Sequence, residues 1–225
     1  MNTNMNVNAL RLALVMSAIP LLTAPKFEKG PLSSLVGPDP QHLQTEFVHY
    51  RGRDAVHLSA TPGAKGEPIA ILTNSDFENG TIELDIAGAP PAGASDSARG
   101  SIGIAFHPAE PHPFRMPVSA HDAMHARTIS CAEIIPLNTS RLPDFPFERT
   151  RAETPGLYES YADLEAGVWT RLRIVVSGLQ AKLYINGADQ PSLVVDDLKL
   201  GRVSGKVALW SGRDADGYFS NLRLY

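Results

Sequence analysis

With one cysteine, Cys131, among 225 residues, the chain cannot close a disulfide on itself, and a four-cysteine zinc site is excluded as well. Charge of one sign is also scarce, since 20 Lys and Arg stand against 24 Asp and Glu for a net charge of −4. That balance is too mild, and of the wrong sign, for nucleic acid or an anionic membrane surface as the main partner. No apolar run approaches the ~20 residues that cross a bilayer. The run "LALVMSAIPLL", 12 to 22, has the length of a signal-peptide core, with Arg11 before it and Thr23-Ala24 after it. Residues 1–25 are therefore expected to be an export or anchoring segment of a secreted or periplasmic protein, the other reading being a short helix packed on the domain. A G-x-S-x-G elbow, a P-loop and a dinucleotide fingerprint are all missing, which disfavours redox-cofactor and phosphoryl-transfer chemistry.

What is present, from residue 46 onward, is a series of short alternating runs cut by turn residues. The runs "GSIGIAFH" (100–107), "RTISCAEII" (127–135), "TRLRIVVSG" (170–178), "AKLYING" (181–187), "PSLVV" (191–195), "GKVALW" (205–210) and "GYFSNLRLY" (217–225) predict antiparallel strands. Asn186-Gly187 marks a tight turn between the "KLYI" and "SLVV" runs. Residues 26–45 read as a linker, and 46–225 as one all-β domain, a two-sheet antiparallel sandwich. Between 107 and 167 the pattern changes: prolines recur, and Arg, His and aromatic residues gather. This predicts a loop-rich insertion, the kind of segment that carries binding chemistry on a rigid scaffold.

The stretches "DFENGTIELDI", "GSIGIAFH", "TPGLYESYADLEAGVWTRLRIVVSGLQAKLYINGADQPSLVVDDLKLG" and "GKVALWSGRDADGYFSNLRLY" resemble the concanavalin A-like lectin/glucanase superfamily. Within it the chain is most similar to bacterial secreted proteins related to the 3-keto-disaccharide hydrolase domain. The resemblance implies a jelly-roll sandwich and a carbohydrate or other small-molecule partner. It does not by itself imply a reaction, because one fold carries many activities.

Several groups of residues are candidates for chemistry. Glu83 and Asp85 are two apart in an alternating run, hence on one strand face at ~6.6 Å, within the range of glycosidase carboxyl pairs. The third acid of concanavalin-like glucanases is absent, and the pair is expected to be the solvent side of a sheet. In "HDAMH", His121 and His125 have zincin-like spacing but Asp122 is one methylene too short for the usual base. No metal or other cofactor is expected. Asp214 and Asp216, in a Gly-bounded loop, are the one weak offer to calcium, and His121 with His125 the one to a transition metal. In "GSIGIAFH" the side made of Ser101, Gly103 and Ala105 leaves room above the sheet for a loop or a ligand, with His107 at its rim. "FERTRAETPGLYES" gathers Phe147, Arg149, Arg151, Glu153 and Tyr158, alternatively a set of ion pairs pinning the insertion.

Together these predict a groove between that small-residue face and the 107–160 insertion. Glu153, His107 and Tyr158 are the candidate catalytic residues. Arg151, Arg149, Arg115, Phe147 and Trp210 are the candidate substrate contacts. Three functions fit: a sugar-acting enzyme using acid–base hydrolysis or elimination, a non-catalytic glycan-binding module, or a lectin-fold isomerase or cyclase.

Overall fold

The computed structural model describes residues 32, 35–36, 43–63, 68–106, 127–132, 135–141, 147–198 and 204–225, with 35–36, 127–132, 135–141 and 147–148 described by their backbone. The strands in chain order are β1 (Leu35–Val36), β2 (Leu43–Tyr50), β3 (Arg53–Ala60), β4 (Ile69–Phe77), β5 (Gly80–Ala89), β6 (Ile102–Phe106), β7 (Arg127–Ala132) and β8 (Ile135–Arg141). Helix α1 (Phe147–Glu153) follows, then β9 (Glu159–Ser160), β10 (Thr170–Ser177), β11 (Gln180–Ile185), β12 (Leu193–Val195), β13 (Gly205–Ser211) and β14 (Asp216–Leu224). They form two antiparallel seven-stranded sheets, a jelly-roll sandwich. Sheet I runs β1-β4-β13-β6-β7-β8-β9, and sheet II runs β12-β11-β10-β5-β14-β3-β2.

The alternating sequences explain the two layers. In β5, Ile82, Leu84 and Ile86 point inward, and β10 sets Leu172 opposite Leu84 and Ile174 opposite Ile82. Val56 and Leu58 of β3 and Phe219 of β14 extend that apolar surface. It meets Ile102, Ile104 and Phe106 of β6, Leu72 of β4, and Val207 and Leu209 of β13 in one continuous core. Each such side chain stabilises the fold by ~1.5–3 kcal/mol on full burial. The predicted inward side of "GSIGIAFH" is therefore the observed one.

Two expectations about organisation are revised. The stretch 26–45 is not only a linker: Leu32 is buried in the core, β1 pairs with β4, and β2 begins at Leu43. The 107–167 insertion contains the paired strands β7 and β8, which widen sheet I beyond β6, as well as α1. Helix α1 stops at Thr154, whose N–H and hydroxyl both donate to the Thr150 carbonyl at 2.9 and 3.0 Å, just before Pro155 forbids another turn. After Asn186-Gly187 (φ 50° and 76°), β11 and β12 do pair, with Leu183 opposite Leu193, but through the longer link 186–192 rather than a two-residue hairpin.

Candidate functional site

The outward face of sheet II carries a group of aromatic and cationic side chains. One row across β2, β3, β14 and β5 holds Glu46, His57, Tyr218 and Ala87, each opposite the next. On it the His57 and Tyr218 rings stack at 4.6 Å, and Tyr218 stacks in turn on Tyr50 at 3.7 Å with planes 6° apart. Trp169 closes the group edge-on to Tyr50 at 5.7 Å. His57 Nε2 lies 3.1 Å from Asp216 Oδ1, so the carboxylate orients the imidazole. Burial first, and then the Asp216 carboxylate, pushes the Tyr218 hydroxyl above its ordinary pKa, which keeps it a hydrogen-bond donor at neutral pH. Among the described residues that hydroxyl has no hydrogen-bond partner.

Local backbone geometry brings these rings together. Arg51 and Gly52 have φ of 43° and 80°, the two left-handed positions of a type I′ turn, which suits the twist of the β2–β3 hairpin. From the hairpin tip Tyr50 crosses to the start of β10: its hydroxyl donates to the Gly167 carbonyl at 3.0 Å, and Trp169 Nε1 donates back to the Tyr50 carbonyl at 3.3 Å. Gly167 is required there, with φ 69° and room for no Cβ, which would stand 2.8 Å from the Tyr50 hydroxyl. Arg51 and Arg53 leave the same turn, with guanidinium carbons 5.7 Å from the Tyr50 ring and 5.2 Å from the Trp169 ring.

Asp85 lies beside this cluster and is only 1% exposed. Its Oδ2 accepts from Asn221 Nδ2 at 2.6 Å, its Oδ1 from Arg171 Nε at 3.1 Å, and Arg53 Nη1 forms an ion pair at 2.6 Å without the alignment of a hydrogen bond. Asn221 reaches it because β14 shifts register against β5 between Ser220 and Arg223, and Asn tolerates the φ of 53° found there. Bonding to Asp85 raises the Arg171 pKa, so this arginine is a permanent cation. Glu83 and Asp85 do share the outward face, as alternation predicts, but only Glu83 keeps contact with water. Asp85 is buried between two arginines rather than a wetted acid.

The residues expected from sequence to form one groove are described only in part. His107, Arg115, His121 and His125 lie outside the described residues, as does the side chain of Phe147. Glu153 is 54% exposed and pairs with Arg149 Nε at 2.8 Å across one helical turn. Arg151 instead pairs with Glu159 Oε2 at 3.1 Å. Tyr158 is buried, its hydroxyl donating to both carboxylate oxygens of Asp197 at 2.7 Å. Both ion pairs are local to residues 147–160, while the Tyr158 hydrogen bond ties this segment to Asp197 after β12.

Trp210 is half-buried against Ile69, Ala105 and Ala208 on the outward face of sheet I, directly opposite Gly103. The small residues of β6 thus make room for a neighbouring side chain rather than leaving an open floor. Asp214 is exposed, and Asp216 is engaged by His57 rather than held ready for calcium. Among the described residues no three His, Cys, Asp or Glu side chains converge on a metal position. Tyr50, His57 and Tyr218 escaped the sequence reading. The signal available was the "YRGR" turn between two alternating runs, which has Arg in the place where Asn or Asp is the familiar cue.

Comparison with solved structures places this architecture. A carbohydrate-binding module of Bacillus subtilis is 14% identical, with 81% of this chain and 94% of that chain covered at a TM-score of 0.52. A Bacillus subtilis protein of unknown function with a galectin-like fold is 12% identical over 88% and 91%, at 0.56. A candidate glycosyl hydrolase of Parabacteroides distasonis is 12% identical over 87% and 94%, at 0.50. The shared fold is a concanavalin A-like jelly roll. No family model and no curated protein matches the sequence.

Proposed function

We propose that this chain is a glycan-binding sandwich that contacts its ligand on the outward face of sheet II. The observation that carries the reading is the His57–Tyr218–Tyr50 stack with Trp169 at its edge. These rings stand on the solvent side of a sheet, and the Tyr218 hydroxyl among them has no hydrogen-bond partner among the described residues. Sugars present C–H faces and hydroxyls together, and Tyr, Trp and His offer apolar area with a polar tip in the same way. The Tyr218 hydroxyl, the Asp216-oriented His57 and the exposed Arg51 supply the hydrogen bonds. A module whose rings hold one another in place meets its ligand already ordered, which lowers the entropy cost of binding. That a carbohydrate-binding module shares the fold supports this reading, and an exported or periplasmic location belongs with it.

A second reading, acid–base chemistry on a sugar-derived substrate, follows the resemblance to the 3-keto-disaccharide hydrolase domain and is favoured by one observation. His57 is oriented by a carboxylate and stacked beside a tyrosine hydroxyl, a pairing able to take and return a proton.

The test is affinity electrophoresis of the full chain in gels holding neutral and acidic polysaccharides, with a parallel assay for new reducing ends or unsaturated products. Binding that weakens at least tenfold in Arg51→Ala and His57→Ala, with the urea midpoint preserved and no product formed, is expected. Binding indifferent to both substitutions would reject the site. Product formation that requires His57 would establish the second reading.

A further inference from the structure

We infer that the ligand is a carboxylate-bearing polysaccharide, a polyuronate, laid across the arginines of sheet II; this rests on the glycan-binding reading above. Next to the aromatic cluster the outward face is cationic. Strands β10, β11 and β14 present Arg171, Arg173, Lys182 and Arg223 around β5, and Arg53 joins them from β3. The acids on the same part of the face are Asp85, Glu83 and Asp196. Asp85 is saturated by Arg53, Arg171 and Asn221, and Asp196 accepts from Gln180 Nε2 at 2.6 Å. Only Glu83 remains, in register between Arg173 and Arg223. The excess of cations is local, since the chain as a whole carries −4.

Arg173 is the most informative of these residues. Its guanidinium carbon lies over the Tyr184 ring, 3.7 Å from the centroid. A guanidinium packed on a ring can still use its N–H groups elsewhere, and among the described residues Arg173 has no carboxylate or hydrogen-bond partner. A guanidinium already packed in place loses less freedom on binding, so a planar, two-pronged anion gains the most from it. Arg171, two residues earlier on the same strand face at ~6.6 Å, spends its Nε on Asp85 and is 61% exposed. The two present successive forks along one line.

Trp169 just before β10, then Arg171 and Arg173 along it, follow one another on this face and span about 13 Å at the ~3.3 Å rise per residue, longer than one sugar ring. A polymer with a carboxylate on each residue matches that reach, with one sugar against Tyr218 and Trp169 and its neighbours over Arg171 and Arg173.

The experiment measures binding of the full chain to polygalacturonate, to the same polymer fully methyl-esterified, and to dextran sulfate, at low and at physiological salt. Polygalacturonate is expected to bind at least tenfold more tightly than the other two. Arg173→Gln and Arg223→Gln should each reduce that preference, and Arg173→Lys should reduce it almost as far as Arg173→Gln, because lysine keeps the charge and loses the fork. Equal binding of the methyl ester would overturn the inference while leaving the glycan-binding reading intact. Dextran sulfate binding as tightly would show that charge alone is recognised and overturn the carboxylate assignment. Binding to neither polygalacturonate nor any neutral polysaccharide would overturn both. A preference unchanged in Arg173→Gln and Arg223→Gln, with the urea midpoint preserved, would place the anion elsewhere and overturn the inference as well.

Discussion

Arg53 holds Asp85 from one side at 2.6 Å while Arg171 holds it from the other at 3.1 Å, so one sealed carboxylate serves two arginines on different strands. Removing it strands the Arg53 Nη1 atom, which is shut off from water. Asp85→Ala is therefore expected to lower unfolding stability by about 3 kcal/mol, the low end for a broken buried pair because both arginines keep part of their surface in water. Urea denaturation measures it, and a loss under about 1 kcal/mol would mean that the arginines relax freely into solvent.

Gly167→Ala should cost about 1–2 kcal/mol from its left-handed backbone alone. The added methyl also stands 2.8 Å from the Tyr50 hydroxyl, so the ring stack should loosen. The expected signs are a lower melting temperature together with a changed near-ultraviolet circular dichroism spectrum. A change in one without the other would separate the backbone effect from the aromatic one.

Tyr158→Phe removes a hydrogen bond to the Asp197 carboxylate, a contact of the charge-assisted kind worth about 1.5–3 kcal/mol. Stability should fall by that amount with glycan affinity unchanged, as measured by urea titration and affinity electrophoresis side by side. Lost affinity at full stability would return Tyr158 to the binding site.

Glu153→Gln should change stability by no more than about 0.5 kcal/mol, the worth of an exposed i,i+4 pair. It should leave binding untouched. A defect in binding or turnover of tenfold or more would show that the helix surface takes part in function.

The raised Tyr218 pKa has a defined sign in the stability curve. The folded state holds this proton more tightly than the unfolded chain, so the contribution is complete below the ordinary tyrosine value of ~10 and is lost as pH rises through the folded value. Urea midpoints taken from pH 8 upward should begin to fall near pH 10, and the fall should be shallower in Tyr218→Phe. Identical slopes in the two proteins would assign the alkaline loss to other groups.

The sandwich was legible in the sequence through alternation such as that of β10: Leu172, Ile174 and Val176 inward, Arg171, Arg173 and Val175 outward. Alternation states which side a residue faces. It does not state what covers it, and Asp85 looked like any wetted acid because its seal is made by Arg53, Arg171 and Asn221, between 32 and 136 positions away. The aromatic stack was hidden for the same reason, since residues 50, 57, 169 and 218 meet only after the sheet is built. The cluster around Glu153 drew notice through density of polar residues within one segment. In a seven-residue helix that density is satisfied locally, Arg149 by Glu153 and Arg151 by Glu159.

The position of β14 bears on how the molecule is made. This strand is the last of the described strands in chain order, yet it lies between β5 and β3 and contributes both Tyr218 and Asn221 to the outward face of sheet II. During synthesis the β2–β3 hairpin therefore has no permanent neighbour until residues 216–224 leave the ribosome, and two strand edges stay open meanwhile. Such a sheet closes late and depends on contacts distant in sequence, the condition under which folding is slow and open edges invite pairing with other chains. Loss of residues 216–224 would divide sheet II in two rather than trim it.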